Sequence, residues 1–191
     1  MLKAIIFDCF GVVITDAMQL VREELDARDP AAGRQMHDLI LANNRGLISP
    51  EESNTGIAAL LGVSPEELRT RIDQGEVKDQ RLLDYVAELH SRYKTGLLSN
   101  ISASGLKRRF EAGELERYFD AVIVSGDIGY AKPEAQAYEA IVDQLDVRLD
   151  ECLFIDDREE YCEGAQGVGM QAICYESLDQ CRRDVAKITL M

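Results

Sequence analysis

Nowhere does this chain hold the run of about 18–20 apolar residues that a membrane-spanning helix requires. It is also short of positive charge. Lys and Arg number 21 against 35 Asp and Glu, a net charge of −14. A surface of that sign repels nucleic acid and anionic lipid unless a basic patch overrides it. The longest basic cluster, Lys107-Arg108-Arg109, falls in a stretch read as helix and is expected to be a solvated face. Neither nucleic acid nor membrane is therefore expected as a partner. Paired cysteine spacings are absent too. The five cysteines, an odd count, show no CxxC or Cys/His pattern, which argues against a zinc site and against a disulfide framework. Cys152 and Cys174 sit in apolar runs and read as small core residues. The opening MLKAIIFD reads as a strand rather than a cleavable leader. Together these features lead us to expect a reduced, cytoplasmic setting.

With 46% hydrophobic and 29% charged residues over a length of 191, the chain can build one sizeable core plus a small appended element. Short apolar runs without polar alternation recur at AIIF (4–7), TGLLS (95–99), AVIVS (121–125), CLFI (152–155) and QAICY (171–175). Such runs suit parallel strands covered on both faces. Helical patterns separate the last four, over about 104–117, 134–145 and 158–168. The last of these opens with Glu159 and Glu160 and closes at Gly167 and Gly169, acids early and glycine late. Strands alternating with helices predict an α/β fold, a three-layer doubly wound parallel sheet of Rossmann-like type.

Between the first two strands roughly eighty residues hold no strand candidate. They read as helices over about 16–28, 31–44, 49–61, 64–73 and 77–91. Ser49-Pro50-Glu51-Glu52 and Ser64-Pro65-Glu66-Glu67 each present a Ser N-cap, Pro at the first helical position and acids behind it. A connection of this length is no ordinary loop. It predicts a helical-bundle cap, residues 15–92, inserted after the first strand of a core formed by 1–14 and 93–191.

Polar residues come directly after the apolar runs. Asp8 succeeds the first, Ser99 and Asn100 close the second, Lys132 lies a loop beyond the third, and Asp156–Asp157 end the fourth. Open parallel sheets bind ligands outside the carboxyl ends of their strands, so the fold class itself brings these groups together. A carboxylate can attack phosphorus and split hydrolysis into two easier steps. Asp8 and Asp157 offer hard oxygens suited to Mg²⁺. Lys132 adds a point charge, and Ser99 with nearby backbone N–H groups can hold a phosphoryl oxygen. Each residue alone has a plainer reading: a turn or helix cap for Asp8, Ser99-Asn100 and Asp156–Asp157, a solvated loop position for Lys132. His37 and His90 lie on helices of the insert and read as surface or core residues rather than ligands.

FDxxGVV at 7–13, LLSN at 97–100, AKPE at 131–134 and FIDD at 154–157, in this order and spacing, resemble the motifs of the haloacid dehalogenase superfamily. The resemblance is to the phosphatase-like branch with a helical cap inserted after the first motif, and it covers essentially the whole chain. It implies that Asp8 is the nucleophile. It implies Mg²⁺ held by Asp8, the backbone carbonyl of Phe10 and the side chain of Asp157, with Asp156 adjacent. Ser99 and Asn100 would bind the transferred group, Lys132 would stabilise the nucleophile and phosphoryl oxygens, and Gly11 would permit the tight turn toward the cap. The activity implied is a Mg²⁺-dependent phosphatase of a small phosphorylated metabolite, working through an aspartyl phosphate. A monomer or dimer is expected.

One departure from the pattern is local. Most phosphatases of this superfamily carry Asp two residues after the nucleophile, to protonate the leaving oxygen and later activate water; here the residue is Phe10. Loss of such a group costs about 10²–10⁴ in rate. The superfamily's dehalogenases have an aromatic residue there, but they use no metal and lack the paired aspartates. Asp156–Asp157, and Val12 where dehalogenases have threonine, favour the metal-dependent reading. Tyr161 stands where related phosphatases often have asparagine. The alternatives are a catalytically weak relative kept for binding or regulation and, behind it, a 2-haloacid dehalogenase.

Overall fold

The computed structural model describes residues 1–189. The chain runs β1 (Ala4–Phe7), α1 (Ala17–Arg28), α2 (Pro30–Asn44), α3 (Pro50–Leu61), α4 (Pro65–Gly75), α5 (Gln80–His90), β2 (Lys94–Ser99), α6 (Ala103–Lys107), β3 (Ala121–Val124), α7 (Ser125–Ile128), α8 (Ala135–Leu145), β4 (Cys152–Asp156), α9 (Glu159–Gly167), β5 (Gln171–Cys174) and α10 (Leu178–Thr189). The strands form one parallel sheet in the order β3-β2-β1-β4-β5. Phe7 of β1 sits opposite Leu97 of β2 and Ile155 of β4. The first strand is thus central, and the chain leaves it between the ends of β2 and β4.

Side chains alternate across a strand, and β1 shows the result. Ile5 and Phe7 join a cluster with α5 and α10 on one face, including Leu82, Val86 and Val185. Ala4 and Ile6 join a second cluster with α8, including Tyr138 and Ile141. The sheet is covered on both faces, which is why its strands read as unbroken apolar runs. Each fully buried side chain of this size contributes about 1.5–3 kcal/mol.

Helices α1–α4 have a separate core. Val21, Leu25, Met36, Ile57, Leu68 and Ile72 pack together there, apart from both sheet clusters. The two Ser-Pro-Glu-Glu starts are closed capping boxes, Ser49 with Glu52 and Ser64 with Glu67.

Three elements differ from the sequence reading. That reading groups α5 with the insert, but the stripe of Leu82, Leu83, Val86 and Leu89 is buried in the sheet cluster. An amphipathic helix goes where its apolar face finds a partner, and here that is β1 and β2. The separately packed helices therefore end at Gly75, and the chain crosses back over 76–79. There it pairs with the outgoing segment: Asp79 N–H donates to Val13 O at 2.9 Å and Thr15 N–H to Val77 O at 3.1 Å. Second, the helix expected over 104–117 stops at Lys107, with only a short 3₁₀ turn at Leu115–Arg117 beyond it. Gly113, with φ +77°, adopts a left-handed conformation that a continuing helix cannot hold. Third, α10, which completes one face of the sheet, has no counterpart in the sequence reading.

Candidate active site

Asp8 is the first residue past the central strand, and its backbone N–H donates to Ile155 O at 2.8 Å. That bond fixes its carboxylate beside the end of β4. Lys132 Nζ donates to Asp8 Oδ1 at 2.6 Å and to Asp156 Oδ2 at 2.7 Å. All three residues are buried, at 5%, 2% and 0% exposure for Asp8, Lys132 and Asp156. The second oxygen of Asp156 accepts from the backbone N–H of Arg158 at 2.9 Å. The rings of Phe154 and Tyr161 flank the ammonium, with centroids 5.2 and 5.0 Å from Nζ. Asn100 braces the same loop. Its Oδ1 accepts from Lys132 N–H at 2.9 Å and its Nδ2 donates to Lys132 O at 3.0 Å.

The charges are out of balance. Three carboxylates meet one ammonium. Burial pushes Asp8 up from the ordinary carboxylate range, with Lys132 pulling against it. Burial would lower Lys132, but Asp156 and Asp8 outweigh it and hold the ammonium charged. Burial, then Asp156 and Asp16, push the Asp157 carboxyl up to about 6. Oxygens of Asp8, Asp156 and Asp157 lie within 4.8 Å of one another. Asp157 Oδ1 is buried with no hydrogen-bond partner among the described residues. A hard divalent cation fits both the donor set and the missing charge.

Gly11 makes room for this arrangement. Its φ is +90°, and a Cβ there would lie 2.3 Å from Asp157 Cγ. Gly11 N–H donates to Ile14 O at 2.7 Å and closes the turn that leads into the helices. Ser99 ends β2 fully buried, and its hydroxyl has no partner among the described residues. Cys9 joins the α5 side of the sheet, opposite Asp8, and burial holds its thiol well above the usual range.

A cleft separates the sheet edge from α1–α3. Asp8, Phe10, Asn100 and Lys132 line its floor, and Ile40, Asn43 and Ile57 its far wall. Phe10 is half-buried and covered by a guanidinium, Arg109, 5.0 Å above its ring. This departs, at Arg109, from the reading of Lys107-Arg108-Arg109 as a solvated face; Lys107 and Arg108 are exposed. Arg109 is 13% exposed and makes a two-pronged ion pair with Glu76, at 2.6 and 2.7 Å. The cause is the early end of α6, which turns residue 109 back toward the crossing segment. Arg158 also lines the cleft, bonded to Tyr161 Oη at 3.0 Å and Gln19 Oε1 at 2.9 Å. Sequence reasoning missed Arg158, although its place directly after Asp156–Asp157 was a usable signal. For Glu76 and Asn43 there was none.

Comparison with known proteins agrees with this geometry. The sequence pattern of a family described as haloacid dehalogenase-like hydrolase matches residues 2–169. A phosphatase of Mycobacterium tuberculosis, MT3486, is 37% identical over 98 residues, which are 49% of this chain and 44% of the relative. The chain therefore spans less than half of that protein. The sesquiterpene phosphatase astK of Aspergillus oryzae is 27% identical over 185 residues, covering 94% of this chain and 93% of its own. Among solved structures, a HAD family enzyme of Bacteroides thetaiotaomicron, bt-2542, in complex with magnesium and inorganic phosphate, superposes with a TM-score of 0.74. Its identity is 24%, over 95% of this chain and 99% of that one. An L-2-haloacid dehalogenase of Xanthobacter autotrophicus gives 0.64 at 21% identity, over 98% and 83%. At these identities the structures speak for the fold alone. With its family pattern matched across most of its length, the chain belongs to the haloacid dehalogenase-like hydrolases.

Proposed function

We propose that this hydrolase is a Mg²⁺-dependent phosphatase of a small phosphorylated metabolite, with Asp8 as nucleophile and an aspartyl phosphate as intermediate. The observation that carries the reading is the joining of Asp8 and Asp156 through Lys132, with Asp157 offering an unpartnered oxygen beside them. Asp8, Asp157 and the backbone carbonyl of Phe10 would hold the metal, with Asp156 behind them fixing Lys132. When bound, the cation supplies positive charge where two anions have to meet. Lys132 orients Asp8 and withdraws charge from the phosphoryl oxygens. Ser99, buried at the end of β2, would donate its hydroxyl to one of those oxygens, and Asn100 keeps the Lys132 loop in place. Helices α1–α4 act as a cap that closes the cleft against water.

The relatives support phosphate-ester chemistry without fixing the substrate. A reducing, cytoplasmic setting fits five free cysteines, four of them buried. Among the described residues no helix is long and apolar enough to cross a membrane. A monomer or dimer completes the proposal.

The test is turnover of a broad phosphoester set with and without Mg²⁺, beside 2-haloacids without metal. Activity should require Mg²⁺ and vanish in Asp8→Asn, whose amide is a far poorer nucleophile. Near-normal rates in that variant would exclude Asp8. One observation favours a second reading. Phe10 occupies the place beside Asp8 with an apolar ring under a guanidinium, as a pocket kept for binding or regulation would allow. Halide displacement ranks below both, because it leaves the Asp156–Asp157 pair without a role.

A further inference from the structure

The cleft is rich in guanidinium groups and poor in groups that can give up a proton. Three carboxylates line it: Asp8, Asp16 and Glu76. Asp8 is the nucleophile of the proposed reaction. Asp16 accepts from Gln19 N–H at 2.9 Å and caps α1. Glu76 has both oxygens on Arg109. Neither histidine lines the cleft: His37 faces Arg22 at 3.5 Å, and His90 is bonded to Thr95 at 2.7 Å. Lys132 directs its ammonium at Asp8 and Asp156. The residue two places after Asp8 is a phenyl ring. Arg108 and Arg158, in contrast, line the cleft with no carboxylate at ion-pair distance among the described residues. The side chain of Arg158 donates to the neutral oxygens of Tyr161 and Gln19. A leaving oxygen in this cleft meets fixed positive charge and no carboxylic acid or imidazolium.

We propose that the enzyme selects substrates by leaving group, acting on phosphoryl groups carried by an oxygen that departs as a stable anion. Acyl phosphates and phosphoanhydrides are of this class, and Arg158, which lines the same cleft as Arg108, receives the anion. The inference rests on the reading of Asp8 as nucleophile. A carboxylate oxygen of Asp8 bonds to phosphorus. The bond from phosphorus to the leaving oxygen breaks, and its electron pair stays on that oxygen, which leaves unprotonated against the guanidinium. Water then bonds to the phosphorus of the aspartyl phosphate. The bond to Asp8 breaks and returns its pair to the carboxylate, and both water protons leave with the phosphate. No step takes a proton from the protein. A positioned acid contributes about 10²–10⁴ in rate where the leaving group needs protonation. An alkoxide needs that help, whereas a carboxylate or phosphate does not.

The experiment is a leaving-group series on the wild-type protein with Mg²⁺: acetyl phosphate, aryl phosphates of graded phenol acidity, and ethyl phosphate. We expect kcat/KM to fall steeply along it, with acetyl phosphate ahead of ethyl phosphate by at least about 100-fold. Arg158→Met should steepen the series further. Phe10→Asp, where it folds, should raise the ratio of ethyl phosphate to acetyl phosphate turnover tenfold or more. The wild-type series decides the matter even if that variant fails to fold. A shallow series would mean that some group, the Tyr161 hydroxyl being nearest in kind, transfers a proton; the leaving-group inference then falls while the phosphatase reading stands. No turnover and no phosphoryl transfer to the protein from any member, acetyl phosphate included, would overturn both.

Discussion

The two walls of the cleft are built on different rules. On the sheet side, polar groups are fixed by backbone topology. Asp8, Lys132 and Asp156 come from three separate segments, yet their side chains meet at 2.6 and 2.7 Å in a nearly dry site. On the helical side, the cleft is lined by whichever residues face inward. Among the described residues Asn43 Oδ1 is buried with no partner, and the Ser53 hydroxyl reaches only Leu39 O, at 3.4 Å. Asp8, Lys132 and Asp156 are thus committed to one another, while Ser99 and Asp157 beside them and Asn43 on the opposite wall keep hydrogen-bonding capacity in reserve among the described residues. Substitutions on the sheet side should damage stability, metal binding and rate together. Those on the helical side should alter substrate affinity alone.

The largest break should come from Lys132→Met. It leaves Asp8 and Asp156 facing each other without their shared cation, a loss of about 3–5 kcal/mol for a broken buried pair. Denaturant unfolding of the metal-free protein would measure it, and a loss below about 1 kcal/mol, the worth of a surface pair, would place the site in solvent. Gly11→Ala comes next. Left-handed strain costs about 1–3 kcal/mol, and the added methyl displaces Asp157. Calorimetric titration should show Mg²⁺ affinity reduced by at least about tenfold, the factor that 1.4 kcal/mol corresponds to.

Asp157→Asn sharpens the comparison through pH. The Asp157 carboxyl is raised from 3.8 to about 6 in the folded protein, so its protonated form favours folding. That contribution is fully present below 3.8 and is lost as pH rises through about 6. Mg²⁺ competes with the proton for the same oxygens, so its affinity should rise over that window and its binding should release protons. In Asp157→Asn the metal-free stability should depend less on pH there, and proton release should shrink. An unchanged pH profile would remove Asp157 from the metal site. The smallest effect is expected for Asn43→Ala. Removing an unpartnered acceptor costs the fold little, whereas a lost hydrogen bond to substrate, about 1 kcal/mol, should raise KM several-fold and leave kcat alone. A change in kcat without KM would dissolve the distinction between the walls.

The same division explains what the sequence disclosed. The sheet was legible because strands covered on both faces must be apolar throughout, and AIIF, LLS and FID announce themselves. The site was legible because topology carries residues just past such strands to one edge, whatever separates them in sequence. The reading of α5 failed on partnership: Leu82, Leu83, Val86 and Leu89 form a stripe that could serve either core, and only the fold chooses. Arg109 failed for a related reason. Its environment depends on where α6 stops, and Gly113, a short way past the end of that helix, gave a weak hint. Asn43 carried no local signal, since an inward-facing asparagine on a helix looks like an outward-facing one.

The pairing of residues 13–15 with 77–79 has a consequence for the design of the chain. Entry to and exit from α1–α4 lie side by side, with Thr15 and Val77 joined by two hydrogen bonds, at 3.1 and 2.7 Å. An insert whose ends already touch imposes no span on its host. It can lengthen, shorten or be replaced by another unit without moving β1 from its place beside β2. The sheet and its reactive edge thus form a socket, and the helices are an exchangeable fitting. A short Gly-Ser bridge from Asp16 to Glu76 is the minimal replacement that leaves the ribbon intact.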